Sequence, residues 1–171
     1  MASLPKELGD LVSKAVETFA KDYTLSFKSA DGNEGSYRLA GVLGVASDKL
    51  NGTLFFSCNS DFLQRTHPTN KGDSLESEEL HDWLQEITNQ VLGRVKNFLY
   101  EHGVKTELNH DLPIVAEDLE PDDFGDDMTY SSYYTVADCP VAVHLNCASL
   151  DFIDFSQVSS EVVKEGKGGV F

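Results

Sequence analysis

Basic residues are scarce in this chain of 171 residues. Lys and Arg together number 13 against 29 Asp and Glu, which gives a formal net charge of −16. Proteins that bind nucleic acid neutralise its phosphates with clustered Lys and Arg, so the balance argues against a nucleic-acid partner. Anionic membrane surfaces attract the same basic residues, and the balance argues equally against membrane binding.

Cysteines and long apolar runs are also few. Cys58, Cys139 and Cys147 form an odd, widely spaced set that fits neither a disulfide framework nor a zinc motif. We therefore expect buried, unreactive thiols. The amino-terminal segment lacks the basic and apolar regions of a signal peptide, and no apolar run approaches the roughly 20 residues that span a bilayer. These absences predict a cytoplasmic protein.

Two long helices are predicted by apolar residues that recur at three- and four-residue steps. The first covers residues 4–21. The second starts after Asp73 and runs to His102, with Ser77 or Asp73 as its N-cap and Gly103 as its C-terminal stop. Apolar residues make up 40% of the chain, which is enough for a buried core at this length.

The strand candidates come in hairpin-like pairs and do not alternate with helices. They cover residues 23–27, 37–46, 53–58, 104–108, 130–137 and 141–148. This order favours an α+β fold, an antiparallel sheet with long helices packed on one face. We expect a single domain over residues 1–153 and a C-terminal extension over residues 154–171, with a short helix at 154–164 and a flexible tail.

Residues 117–127 hold seven carboxylates and predict a loop. Their spacing lacks the EF-hand pattern of calcium ligands, so we expect this loop to be solvated. The five histidines of the chain show no metal-ligand spacing either. We therefore expect the chain to hold no metal.

One face of the longer predicted helix carries polar residues in a single row. On a helical wheel, Asp82, Glu86, Asn89 and Gly93 cluster nearly opposite the apolar stripe, because steps of four and three residues keep them on one side. A glycine in mid-helix costs up to about 1 kcal/mol relative to alanine, and here it would let another surface approach beside Asn89. The alternative interpretation is a solvated acidic face with one weak helix former.

The segment that contains this row resembles the signature of the CheX/CheC/FliY phosphatases of bacterial chemotaxis. That signature is Asp or Ser, three residues, Glu, two residues and Asn, followed further along the chain by a proline. Pro113 stands 24 residues after Asn89. The motif appears once, which suits a CheX-type chain. The family often has Asn after the helix glycine, where this chain has Arg94.

The resemblance implies a phosphatase that removes phosphate from the phospho-aspartate of a CheY-like response-regulator receiver domain. In that role Asn89 is expected to orient the attacking water and Glu86 to pair with the partner's active-site lysine. Asp82 is expected to make a supporting contact with the partner, and Gly93 to clear space for its surface. The phosphorylated partner would supply Mg²⁺, so this chain carries no cofactor of its own. The family also implies a homodimer.

Two other functions stay open on the sequence alone. The same helix face could belong to a non-catalytic adaptor that binds receiver or flagellar-switch proteins without turnover. The unusual connecting segment at residues 59–72 and the acidic loop motivate that hypothesis. The chain could also be a structural dimer module whose acidic row is merely solvated.

Overall fold

A computed structural model describes residues 4–32, 36–69, 72, 74–107, 112–119 and 128–158 of the chain. The helices among these residues are α1 (Lys6–Asp22), α2 (Ser60–Thr66) and α3 (Ser77–Glu101). The strands are β1 (Lys28–Ser29), β2 (Leu39–Ala46), β3 (Leu50–Cys58), β4 (Ile114–Glu117), β5 (Thr129–Val136) and β6 (Cys139–Leu150). Both long helices predicted from periodicity are confirmed.

The strands form one antiparallel sheet in the order β1-β5-β6-β3-β2-β4. Two hairpins, β2–β3 and β5–β6, meet where β3 pairs with β6 at the centre. The short strands β1 and β4 lie at the edges. The predicted α+β architecture is therefore confirmed.

The apolar core lies between the helices and one face of the sheet. Val141, Val143 and Leu145 of β6 alternate along the strand and all belong to the core. Ala142 and His144 between them are also buried. The helices contribute one apolar stripe each, with members such as Phe19 of α1 and Ile87 of α3. Full burial of such a side chain contributes roughly 1.5–3 kcal/mol, so this packing holds α3 firmly on the sheet.

A glycine of β2 lets α3 approach the sheet closely. A side chain at Gly41 would place its Cβ 1.8 Å from Oγ1 of Thr88, so only a glycine fits at this distance. Thr88 is fully buried, and its hydroxyl donates a hydrogen bond to the carbonyl of Leu84 at 2.7 Å. The buried polar group is thus satisfied, and the contact fixes the rotation of α3 immediately before Asn89.

The strand predicted at residues 23–27 is wrong. Tyr23, Thr24 and Leu25 instead cap α1, since their backbone N–H groups donate to carbonyls of its last turn. Thr24 has a positive φ of 57°. These N–H groups are engaged in capping, and pairing with β5 starts only at Lys28.

The ends of α3 are set by side-chain capping and by a glycine. Its N-cap is Glu76, whereas the predicted cap Ser77 is the first helical residue. Glu76 and Glu79 form a reciprocal capping box in which the Glu76 N–H donates to Glu79 Oε2 at 3.0 Å. The alternative cap Asp73 lies outside the described residues. Gly103 has a φ of 79° just past the helix, so the predicted stop is confirmed.

Two further predictions need correction at their boundaries. The β5–β6 turn consists of Ala137 and Asp138, which both have positive φ, and β6 begins directly after it. At the predicted strand 104–108, the residues up to 107 form only an isolated bridge between Thr106 and Ser47. Leu108 lies outside the described residues, as does the part of the acidic loop over residues 120–127.

The chain continues along the helix layer after β6. Ile153 is buried in the core, the Phe155 ring lies 5.4 Å from the His102 ring, and the Gln157 carbonyl lies 2.9 Å from His102 Nδ1. Residues 154–158 are not helical, because Asp154 accepts hydrogen bonds from Ser156 in a turn. Residues 159–171, with the rest of the predicted helix and the flexible tail, lie outside the described part. The domain division at residue 153 stays a prediction.

All three cysteines are unpaired and buried, as expected. Burial raises the pKa of the Cys58 thiol far above its usual range and that of Cys147 to about 11. Among the described residues, no helix combines the length and the apolar character that crossing a membrane requires.

Candidate functional site

The polar row predicted on α3 lies on the outer face of the helix. Asp82, Glu86 and Asn89 are exposed, and Gly93 is half-buried. Apart from the backbone of the helix itself and the adjoining residues, no described atom lies within 4 Å of a Cβ placed at Gly93. The fold therefore brings all four predicted residues into one row beside an open surface.

Aromatic packing holds the row against α1. Trp83 follows Asp82, and its ring lies 5.2 Å from Tyr23 and 6.4 Å from Phe19. The Trp83 indole N–H donates to Thr66 Oγ1 at 3.0 Å, so its polar end is satisfied as well. These contacts fix the orientation of α3 one turn before Glu86.

Glu86 lies close enough to Tyr23 to affect its titration. Burial is the first cause that raises the pKa of the Tyr23 hydroxyl, and the negative charge of Glu86 is the second. Arg94 acts in the opposite direction on the same hydroxyl. The carboxylate of Glu86 and the guanidinium of Arg94 therefore share one electrostatic environment at the α1–α3 boundary.

The Glu86 carboxylate is the end of a chain of hydrogen bonds. Gln90 Nε2 donates to Glu86 Oε1 at 2.7 Å, and Arg94 Nη1 donates to Gln90 Oε1 at 2.8 Å. Arg94 Nη2 forms an ion pair with Asp22 at the end of α1. Gln90 and Arg94 were not among the site residues predicted from the sequence, although their four-residue steps from Glu86 are a usable signal. Nothing in the sequence points to Asp22.

Asn89 contrasts with Glu86. Its side chain is exposed, and its carboxamide forms no hydrogen bond with any described residue. A carboxamide offers two N–H donors and one oxygen acceptor without carrying charge. All of these groups are available to a water molecule or a partner that approaches the row.

The other flank of the row is anchored through Pro113. Gln85, four residues before Asn89, donates from Nε2 to the Pro113 carbonyl at 2.7 Å. Pro113 is buried and precedes β4, whereas the neighbouring Leu112 is 76% exposed. The proline therefore positions the segment that leads into β4 beside the row.

An open polar groove of about 620 Å³ lies at the N-terminal end of α3, separate from the row. Its lining includes Arg38, Asn59, Asp61, His81 and Asp118. The helix contributes Ser77, Leu80 and His81 to it but none of the four row residues. Within the described ranges, no group of three or more His, Cys, Asp or Glu side chains is arranged to hold a metal ion.

Residues 39–122 match the family model of the chemotaxis phosphatase CheX. The resemblance to the CheX family is thus confirmed over this segment. The matched segment includes the whole polar row, Gln90, Arg94 and Pro113. It starts after α1, so Asp22 lies outside the match. No curated protein matches the chain in sequence.

Solved structures share the fold of this chain. CheX from Vibrio vulnificus is 15% identical with a TM-score of 0.66, and the match covers 82% of this chain and 96% of that one. A CheC-like protein from Shewanella sp. PV-4 is 16% identical with a TM-score of 0.67, over 84% and 98% of the two chains. A chain of the CheX–CheY–BeF₃–Mg²⁺ complex from Borrelia burgdorferi is 12% identical with a TM-score of 0.61, over 81% and 96%. At these identities, the likeness shows the fold alone.

Proposed function

We propose that this CheX-family domain hydrolyses the phospho-aspartate of a CheY-like receiver domain. Asn89 orients the attacking water, and Glu86 pairs with a lysine of the receiver's active site. Asp82 makes a supporting contact, and Gly93 leaves room for the receiver surface. The row is the only part of the α3 surface to which the family signature assigns these roles.

The observation that carries the proposal is the free carboxamide of Asn89. The helix around it is otherwise well packed, with Thr88 fully buried and hydrogen-bonded to Leu84. An exposed Asn contributes little to a helix, since Asn favours helix ends over helix interiors. A side chain that does not stabilise the helix is therefore available to bind a ligand.

The reaction asks little covalent chemistry of the phosphatase. An acyl phosphate has a good leaving group, so the water oxygen can attack phosphorus in line while the bond to the aspartate oxygen breaks. The products are inorganic phosphate and the receiver's carboxylate, and the proton lost by the water leaves with the phosphate or to solvent. What remains is positioning, to which one Asn contributes by accepting from the water and donating to a phosphoryl oxygen.

Charge recognition falls to Glu86 and to the receiver. A carboxylate one helical turn from Asn89 can bind a lysine and so fix the register of the two proteins. The Mg²⁺ ion belongs to the receiver in this proposal, and the domain supplies no metal. The Borrelia burgdorferi relative, whose structure contains CheX, CheY, BeF₃ and Mg²⁺, supports this class of partner.

Phosphate release from a phosphorylated receiver of the same organism tests the proposal. With Mg²⁺ present, the wild-type domain is expected to accelerate release, and Asn89→Ala is expected to lower the rate about 100-fold or more. Asn97→Ala is the matched control, because Asn97 lies on the same side of α3 about two turns further along. Equal rates for wild type and Asn89→Ala contradict the catalytic assignment.

Binding without turnover would identify the adaptor function instead. In that case the domain binds the receiver loaded with beryllium fluoride, which mimics an aspartyl phosphate, but does not change the decay rate of the phosphorylated form. A domain that neither binds nor accelerates any receiver of the organism would leave only a structural role for the row.

We also propose that the domain forms a homodimer through its sheet. The edge strand β4 supports this arrangement, because Ile114 is 69% exposed and follows the exposed Leu112. Sedimentation measurements of the full chain distinguish a dimer from a monomer.

A further inference from the structure

The Glu86 carboxylate is hydrogen-bonded within its own helix. A long exposed side chain ordinarily samples several rotamers, and ordering it on binding weakens the association. Here Glu86 Oε1 accepts a hydrogen bond from Gln90 Nε2 at 2.7 Å. Gln90 can present Nε2 to Glu86 only while its side-chain amide keeps one of its two orientations.

Arg94 determines the orientation of the Gln90 side-chain amide. A guanidinium has only donors, so the Gln90 atom that faces Arg94 Nη1 at 2.8 Å is the oxygen Oε1. The Nε2 group is then left to face Glu86. The same Nη1 also donates to the Gln90 backbone carbonyl at 2.9 Å. Each hydrogen bond in this series, from Arg94 to Gln90 and from Gln90 to Glu86, is therefore donated in the direction of Glu86.

Arg94 is in turn fixed from α1. Its Nη2 pairs with Asp22, and its guanidinium carbon lies 5.8 Å from the centroid of the Phe19 ring. The Arg94 side chain is 17% exposed, whereas that of Asp22 is 58% exposed. Restricted access to water strengthens hydrogen bonds made by a charged group. Arg94 is therefore the most firmly held residue in this series of hydrogen bonds.

The charges of the hydrogen-bonded side chains from Asp22 to Glu86 also suit a cationic partner. Asp22 compensates the positive charge of Arg94, and Gln90 is neutral. The negative charge of Glu86 therefore has no ion-pair partner among the described residues. A lysine that approaches Glu86 meets a fixed and uncompensated carboxylate.

We propose that Gln90 and Arg94 are positioning residues that pre-order the Glu86 carboxylate for a lysine of the receiver domain. This inference rests on the proposed function of the row. Arg94 ties the row to α1, an element that lies outside the part of the chain matched by the family model.

The variant Gln90→Met tests the inference, because methionine keeps the length of the side chain and removes both polar groups. Two quantities are measured: the dissociation constant for a receiver loaded with beryllium fluoride and Mg²⁺, and the maximal rate of receiver dephosphorylation. We expect the dissociation constant to rise about three- to tenfold, the cost of ordering one long side chain on binding. The maximal rate should stay close to that of the wild type, since Asn89 is untouched.

A second variant separates positioning from a general structural effect. In a Glu86→Ala background, Gln90→Met is expected to weaken binding no further, because the carboxylate that it positions is absent. A role in helix stability would weaken binding equally in both backgrounds. Arg94→Met should behave like Gln90→Met in this comparison.

The outcomes also distinguish the inference from the proposed function. If the wild-type domain neither binds nor dephosphorylates a receiver, the proposed function fails and the inference fails with it. If the wild type is active but Gln90→Met has the wild-type dissociation constant, the inference alone is overturned. Equal weakening in the presence and absence of Glu86 overturns it too.

Discussion

The inner and outer faces of α3 differ in how their polar residues and the space around them are filled. On the inner face, Thr88 is buried and its hydroxyl is satisfied, and the space above Gly41 is filled by that threonine. On the outer face, the next residue, Asn89, has no hydrogen-bond partner among the described residues, and the space above Gly93 is open. The inner face is packed against the sheet, whereas the outer face leaves an amide and the space above a glycine open to another surface.

Glu86 lies on the outer face but shares a property of the inner one. Its carboxylate is held by Gln90, as a buried polar group would be. Within one helical turn the row thus combines an ordered charge with an unpartnered amide. This difference suits two tasks: a fixed ion contact determines register, while an adaptable amide follows a water and a phosphoryl group as the reaction proceeds.

The largest expected effect comes from changing the unpartnered amide into a carboxylate. Asn89→Asp keeps the shape of the side chain, but it removes the donors and places a negative charge near the phosphoryl group. We expect the dephosphorylation rate at saturating receiver to fall about 100- to 1000-fold, as for loss of a donor that stabilises a transition state. Stability in urea should change little because the side chain is exposed. A rate within a few-fold of wild type would show that Asn89 does not touch the phosphoryl group.

A smaller effect, of a different kind, is expected at the ordered charge. Glu86→Gln removes the charge that we assign to lysine recognition and leaves the helix intact. The dissociation constant for the receiver should rise about 10- to 100-fold, the range for hydrogen bonds to charged groups. The maximal rate should fall less than in Asn89→Asp. If both variants affect the maximal rate alike and binding not at all, the division of tasks within the row is wrong.

The inner face is expected to respond in stability and not in recognition. Gly41→Ala would bring a methyl group into contact with Thr88, so α3 must shift or Thr88 must rotate. Overpacking of this kind typically destabilises by about 1–3 kcal/mol. Urea unfolding followed by circular dichroism measures the loss. Unchanged stability would mean that α3 is less tightly seated on β2 than the structure shows.

The smallest effect, with the opposite sign, is expected at the outer glycine. Gly93→Ala adds a methyl group where no described side chain lies, and alanine is the better helix former by about 1 kcal/mol. The variant should therefore unfold at a higher urea concentration than the wild type, while binding of the receiver weakens because clearance is lost. A stabilised variant with unchanged receiver binding would refute the clearance role of Gly93 and leave the rest of the row untouched.

Local patterns predicted the long helices and the row well, because helical periodicity depends only on neighbouring residues. They failed where backbone groups had competing uses. Residues 23–27 alternate like a strand, but Tyr23, Thr24 and Leu25 direct their N–H groups to the last turn of α1. At the start of α3, the N-cap is Glu76 because Glu79 completes a reciprocal capping box with it. The sequence favoured the adjacent Ser77, since serine is among the preferred N-cap residues.

The sequence by itself determined which residues share the outer face of α3, since a rotation of 100° per residue follows from helix geometry alone. Only the tertiary structure decided which of them are held and which are left free. Asp22 and Arg94 are 72 residues apart in sequence and meet because α1 and α3 pack side by side. Gly41 and Thr88 meet because β2 runs beneath α3. Such contacts depend on how whole elements pack, and no local spacing encodes them.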